Sequence, residues 1–216
     1  MLLFLLTAVP LSFLLLVALM GGGNLPQKVL ITPAIRGGVF ALPVYGLLSW
    51  VQRFVVYEYE PSALSLFHGA FDVTGPALFI ILGILLSARW LFEERSTDLY
   101  IGLSSFVAGF FSVVGLIEVV YSGHYHSVYD LFLLPSIRIF LMLLLPALAT
   151  AGRHEFGLLR IVYLIALLIV IVVPVVVSVL FAMRVVAGAI AVSIGLLALA
   201  VGAVYLLQGL YFRSFA

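Results

Sequence analysis

The chain of 216 residues contains no cysteine and very little charge. Without cysteine it can form no disulfide, no thiolate metal site and no cysteine-ligated iron–sulfur cluster. Charged residues make up 9% of the chain and hydrophobic residues 65%, whereas soluble domains carry about 25% charged residues. A soluble fold could not bury this much apolar surface, so the composition predicts an integral membrane protein.

Lysine is especially sparse. Lysine occurs once, at Lys28, beside nine arginines, and the net charge is +1. This balance indicates no nucleic-acid partner, and no run of basic residues indicates a site for anionic lipid headgroups. The chain also lacks the Gly-x-Ser-x-Gly, Walker and His-Glu-x-x-His motifs of several enzyme classes. Its last apolar segment has no lysine that could form a retinal Schiff base.

Long apolar stretches dominate the rest of the sequence. A transmembrane helix needs about 20 apolar residues, and seven stretches meet that length. They are 2–20, 37–57, 62–90, 99–121, 127–150, 158–182 and 185–211. Because the connections between them are short, the sequence predicts an all-α polytopic membrane protein. We expect one domain, residues 1–216, folded as a bundle of seven transmembrane helices.

The basic residues predict the orientation of this bundle. With the N-terminus outside and the C-terminus in the cytoplasm, seven basic residues lie on the cytoplasmic side and two on the outer side. The seven are Lys28, Arg36, Arg89, Arg95, Arg153, Arg160 and Arg213, and the two are Arg53 and Arg184. The positive-inside rule favours this arrangement. The expected location is the plasma (inner) membrane of a prokaryote.

One polar pattern occurs twice between the apolar runs. The segments "HGAFD" at 68–72 and "HSVYD" at 126–130 are both His-x-x-aromatic-Asp, and each histidine follows a glutamate by eight residues. The two sets are Glu60, His68 and Asp72, then Glu118, His126 and Asp130. Internal repeats often build transporter sites. The pattern therefore suggests a duplicated helical hairpin, residues 37–90 and 99–150.

Six ionisable residues are predicted to share the outer half of helices three, four and five. They are His68, Asp72, Glu118, His126, Asp130 and Arg138. A charge in the hydrocarbon costs roughly 2.5–3.5 kcal/mol, so it usually has a partner or faces water. At the helical rise, Asp72 and Arg138 lie at similar depths, about 15 and 16 Å. We therefore expect these two residues to form an ion pair.

Three functions fit such a cluster. The first is movement of a small solute or ion, with carboxylates and imidazoles that carry protons. The second is a metal-dependent hydrolase acting at the outer leaflet. Zinc or a similar divalent cation would be held by His68, Asp72, His126 and Asp130. Haem ligation by the two histidines is disfavoured because His126 lies at the lip of its helix.

The third function is that of a non-catalytic subunit in a larger membrane complex. Helices six and seven, 158–182 and 185–211, are almost free of polar groups and would contact a partner subunit or a second copy of the chain. A purely structural reading also stays open. Histidine and aspartate four residues apart lie on one helix face and can form a hydrogen-bonded pair that orients two helices.

Overall fold

The computed structural model describes residues 2–20, 27–55, 73–88, 96–122, 128–154, 157–207 and 209. These residues are almost entirely helical, and no strand occurs among them. The helices are α1 (Leu2–Leu19), α2 (Gln27–Val55), α3 (Gly75–Ala88), α4 (Ser96–Ser122), α5 (Leu134–His154), α6 (Leu158–Val172), α7 (Val175–Ala182) and α8 (Val186–Leu207). A π-helical turn, Tyr129–Leu133, leads directly into α5.

Five segments are long and apolar enough to cross a membrane. They are Lys28–Val51, Asp98–Val120, Tyr129–Arg153, Leu158–Ala182 and Val186–Leu207. Two further apolar helices, Thr7–Leu19 and Gly75–Leu86, are shorter within the described residues. The chain is therefore an all-helical protein with the features of an integral membrane protein. The seven-span count and the orientation stay predictions.

The prediction was wrong about where the second helix begins. It placed the start at residue 37, but α2 begins at Gln27 and continues through Pro33. Proline removes a backbone donor and breaks most soluble helices. In membrane helices, side chains of neighbouring helices can satisfy the carbonyls that proline disturbs. Here the Ser105 hydroxyl of α4 donates to the carbonyl of Leu30, three residues before Pro33, and so ties α2 to α4 beside the proline.

Helices α2 and α4 are in direct backbone contact. A Cβ atom added at Gly37 would overlap the backbone oxygen of Phe106, and one added at Gly109 would overlap the backbone of Ala34. Small residues permit this approach, which is a common way for membrane helices to associate. Gly37 and Gly109 are therefore packing residues between the two helices.

The centre of the bundle is formed by α4 and α5. Several large side chains there are fully buried, among them Tyr100, Phe110, Phe140 and Met142. The Tyr100 hydroxyl donates to the carbonyl of Leu143 at 3.3 Å, near the start of α4 and the middle of α5. Farther along α4, Glu118 meets Arg138, nearer the start of α5. These two contacts show that α4 and α5 run antiparallel.

Candidate functional site

A buried arginine lies between the two central helices. Arg138 of α5 is 4% exposed, and it is the only buried charged side chain in the part of the chain that the structure describes. Its Nη2 donates to both carboxylate oxygens of Glu118, at 2.6 Å and 2.7 Å. The Glu118 side chain is 21% exposed. The guanidinium is thus neutralised by a carboxylate that retains some access from outside the core.

The direction of helical side chains explains how this pair forms. In a helix the Cα–Cβ bonds tilt toward the N-terminus. Glu118 lies near the C-terminal end of α4, so its side chain slants into the bundle. Arg138 lies nine residues after Tyr129, about 13 Å along the axis. Its long side chain slants back toward the start of α5. The two side chains therefore meet although their Cα atoms lie at different depths.

The surroundings of the guanidinium are aromatic and tight. The Arg138 Cζ atom lies 5.6 Å from the centroid of the Phe111 ring, a distance at which a cation is attracted to the ring face. A Cβ atom built at Gly115 would lie 3.6 Å from Nη1, so this glycine leaves room for the planar group. The ring and the glycine both belong to α4 and hold the guanidinium against that helix.

One donor of this guanidinium is not used. Arg138 Nε is buried and has no hydrogen-bond partner among the described residues. A buried donor that lacks a partner costs about 1–3 kcal/mol, and more when the group is charged. Such a donor in a native structure calls for an explanation. An available N–H on a buried cation is a place where an anion can bind.

The helix that carries Arg138 begins irregularly. The Leu134 N–H bonds to the Tyr129 carbonyl, five residues back, which makes Tyr129–Leu133 a π-helical turn. Pro135 explains why this turn is π-helical rather than α-helical, because proline has no N–H and its ring would crowd the Leu131 carbonyl. Asp130 lies in this turn, is half-buried, and precedes Arg138 by eight residues on the same face. Single π-helical turns are frequent at functional sites.

Two hydrogen bonds join interrupted helices around this region. Helix α6 gives way to α7 at Val173–Pro174. On one side of that break, the Ile171 carbonyl accepts a bond of 3.3 Å from Thr74 Oγ1, in the π-helical turn that precedes α3. On the other side, Ser178 Oγ lies 2.6 Å from the hydroxyl of Tyr129. The α6–α7 break is thus connected to the beginnings of α3 and α5.

The structure places three of the six predicted site residues. Glu118 and Arg138 are brought together, and Asp130 lies on the same helical stretch as Arg138. His68, Asp72 and His126 lie outside the described residues. The predicted Asp72–Arg138 pair, the repeat and the metal site therefore remain predictions. Within the described ranges, no three histidine, aspartate or glutamate side chains are grouped as metal ligands.

Sequence reasoning included Glu118 in the cluster but did not pair it with Arg138. It compared the depths of Cα atoms and left out the slant and the length of the arginine side chain. A usable signal was present, since the two residues are 20 apart on consecutive antiparallel helices joined by a short connection. The Tyr129–Ser178 hydrogen bond was not foreseen, because Tyr129 counted only as the aromatic residue of the His-x-x-aromatic-Asp pattern and Ser178 lies within an apolar segment.

Comparison with known proteins gives no relative from which a role could be transferred. No family model, no curated protein and no solved structure matches this chain.

Proposed function

We propose that this integral membrane protein moves a small anionic solute across the membrane, with Arg138 as the residue that receives it. The observation that carries the proposal is the buried guanidinium whose Nε donor has no partner among the described residues. Ionisable residues within membrane segments commonly mark pathways of solutes and ions. The planar guanidinium matches carboxylate and phosphate oxygens through paired N–H groups, so the favoured solute is an anion.

Glu118 acts in this proposal as an internal counter-anion. It engages a single nitrogen, Nη2, with both of its oxygens. An anion that uses two guanidinium nitrogens competes with that arrangement, so the carboxylate has to shift or take up a proton when the solute binds. The positive charge then passes from one anion to another and never lies unpaired in the membrane. If Glu118 takes up a proton at this step, solute movement is coupled to protons.

The irregular helices support a path to this pair. Asp130 lies two turns from Arg138, toward the end of the bundle where α5 begins. The π-helical turn and the α6–α7 break leave backbone groups outside regular helical hydrogen bonding. Discontinuous helices of this kind form solute sites in many transporters. A hydrolase and a metal-coupled carrier stay alternatives that depend on the three residues outside the described part of the chain.

Reconstitution into liposomes tests the proposal. Uptake of labelled acetate, lactate, phosphate and chloride is measured together with the internal pH. We expect uptake of at least one anion by the wild-type protein, and little uptake by Arg138→Gln or Glu118→Gln. Asp98→Asn is the matched control, because Asp98 lies at the other end of α4. Its uptake should equal that of the wild type.

A measurement of anion binding tests the proposal without relying on the uptake assay. Anions that are carried should raise the melting temperature of the detergent-solubilised wild type and leave that of Arg138→Lys unchanged, because lysine lacks the planar fork. The proposal fails if Arg138→Gln inserts normally and transports as well as the wild type. It also fails if none of the four anions is carried and none of them stabilises the wild-type protein.

A second candidate is a subunit that binds a partner chain within the membrane. An apolar groove with a volume of about 880 Å³ lies between α1, α2 and α4, and it favours this function. Small residues such as Gly38, Ala108 and Gly109 line it, and small residues let another helix approach closely. The predicted contact through 158–182 and 185–211 is the other surface for the same role. The mass of the protein extracted with its native lipids separates a complex from a single copy.

A further inference from the structure

A cavity with basic side chains lies at the opposite end of the central helices from the Glu118–Arg138 pair. It has a volume of about 410 Å³ and is lined by parts of α3, α4, α5 and α6. Arg153, Arg160 and Tyr163 line it, and the other lining residues are apolar or glycine. Two cationic side chains thus share a cavity whose remaining wall is mostly leucine.

The turn between α5 and α6 brings these arginines together. Arg153 lies in the last turn of α5 and Arg160 in the first turn of α6. Gly157 has φ of 65° in between, a conformation that glycine adopts without strain. A Cβ built at Gly152 would lie 3.1 Å from the Tyr163 Cβ, so the two helices touch just inside the turn. Two isolated arginines of the sequence therefore form one basic site.

The chemistry of the cavity matches a phospholipid. Guanidinium groups bind phosphate oxygens through paired N–H groups. The beginning of α6 adds the partial positive charge of a helix N-terminus beside Arg160. Leu85 and Leu164 line the same cavity and are 59% and 52% exposed, so its apolar side is open to the surrounding lipid. A ligand that fits both parts has an anionic head and an aliphatic chain.

We propose that this cavity binds one anionic phospholipid, with its phosphate between Arg153 and Arg160 and an acyl chain along Leu85 and Leu164. Basic pockets between transmembrane helices bind phospholipid headgroups in this way on the cytoplasmic side. The positive-inside count predicts that same side for both arginines. The site is independent of solute movement, because it shares no residue with the Glu118–Arg138 pair.

Lipid titration of the purified, delipidated protein tests the site. Native mass spectrometry measures the binding of phosphatidylglycerol and of phosphatidylcholine with identical acyl chains. We expect tighter binding of phosphatidylglycerol, and a loss of about fivefold in its affinity for Arg153→Gln or Arg160→Gln, since each basic residue near a membrane contributes about 1 kcal/mol. The double variant should lose about 25-fold if the two contributions add.

The control variant is Arg36→Gln, which removes an exposed arginine of α2 outside the cavity. Its phosphatidylglycerol affinity should equal that of the wild type, and an equal loss in the control would overturn the site. Glycerol 3-phosphate, which has the headgroup phosphate and no acyl chain, should compete only weakly. Competition as strong as that of the lipid would show a site for soluble phosphates and overturn the proposal.

Folding of the variants is checked by their melting temperatures in detergent. If the double glutamine variant does not fold, Arg153→Lys with Arg160→Lys replaces it. That variant keeps both charges and loses the planar forks, so its affinity should lie between those of the wild type and the single glutamine variants. The proposal is refuted, whatever the variants show, if the wild-type protein binds phosphatidylcholine as tightly as phosphatidylglycerol.

Discussion

Two spans of this protein show a relation between hydropathy and burial that is opposite to the one expected in a soluble protein. The segment Tyr129–Arg153 has a mean hydropathy of 2.2 and is 83% buried, whereas Leu158–Ala182 has a mean hydropathy of 3.3 and is 33% buried. The more hydrophobic span is the more exposed one, which is what we expect of a helix that faces lipid rather than water. The interior contains instead polar groups, which are expensive to place against lipid, and small residues, which let helices approach closely.

The second helix shows that mean hydropathy alone does not rank burial. Lys28–Val51 has a mean hydropathy of 1.4 and is also 33% buried. Its contact face includes small residues such as Ala34 and Gly37, which pack closely against α4. Its other face carries exposed Ile31, Ile35 and Val39. The polar groups of the candidate site therefore lie in α4 and α5, whereas α6 and α8 present exposed apolar side chains.

The largest effect should come from breaking the ion pair of the central helices. Glu118→Gln leaves the buried guanidinium without its counter-charge, at a cost of about 3–5 kcal/mol in the free energy of unfolding. The measurement is unfolding in mixed micelles with increasing denaturing detergent. The control Asp98→Asn removes a carboxylate from the other end of the same helix and should change little.

The double variant Glu118→Gln with Arg138→Gln should recover much of that loss, because no charge is then left in the bundle. Equal losses for the double variant and for the sum of the single variants would show that the two residues are not coupled. The sequence-predicted pairing with Asp72 is tested in the same series. If Asp72 is coupled to Arg138, Asp72→Asn should recover much of the stability lost in Arg138→Gln, because it removes a carboxylate that has lost its partner.

The next prediction compares a leucine-to-alanine substitution in α5 with the same substitution in α6. Leu145 of α5 is fully buried, and Leu168 of α6 is 59% exposed. Leu145→Ala leaves a cavity and should cost about 2–5 kcal/mol. Leu168→Ala should cost little, because lipid chains fill the space that the side chain leaves. Similar losses of unfolding free energy in the two variants would show that α6 is covered by protein and not by lipid.

Much of the architecture follows from the sequence because length and apolar composition determine it. The helical class and the five long spans are recovered, and the break at Pro174 lies inside the predicted segment 158–182. The beginning of α2 was missed, since Pro33 and Gly37 have different meanings in water and in lipid. Their role depends on Ser105 and Phe106 of another helix, and no local pattern contains that information.

Two members of the candidate site could be singled out from the sequence, but their contact could not. Arg138 and Glu118 stand out as charges in apolar runs, which composition alone detects. Their pairing depends on helix rotation and side-chain reach. The site of Arg153 and Arg160 was not foreseen at all, because the sequence contains no continuous run of basic residues. A turn at Gly157 brings the two residues into one cavity, and turns of this kind leave only a weak signal in the sequence.

A smaller effect on stability is expected when glycine is replaced by alanine, and it should differ between α4 and α8. Gly109→Ala places a Cβ against the Ala34 backbone of α2, whereas Gly202→Ala in α8 meets no other atom within 4 Å. Overpacking of this kind typically costs about 1–3 kcal/mol. The exposed substitution should be neutral or slightly stabilising, since alanine favours the helix over glycine. The thermal unfolding midpoints of the two variants provide the comparison, and equal midpoints would mean that α2 can move aside freely.

The smallest effect concerns the hydrogen bond that links the two regions. Tyr129→Phe removes the hydroxyl that lies 2.6 Å from Ser178 Oγ, while the ring can still pack on Phe181 at 5.4 Å between centroids. Interhelical hydrogen bonds in membranes contribute about 0.6 kcal/mol on average and up to about 1.7 kcal/mol. The double-mutant cycle with Ser178→Ala should return a coupling in that range. Tyr205→Phe, at a side chain 71% exposed on α8, is the matched control and should leave stability unchanged.

If the interrupted helices serve solute movement, Tyr129→Phe should lower anion uptake in liposomes by more than its small loss of stability explains. Unchanged uptake with a normal coupling would restrict this bond to holding α7 against the start of α5.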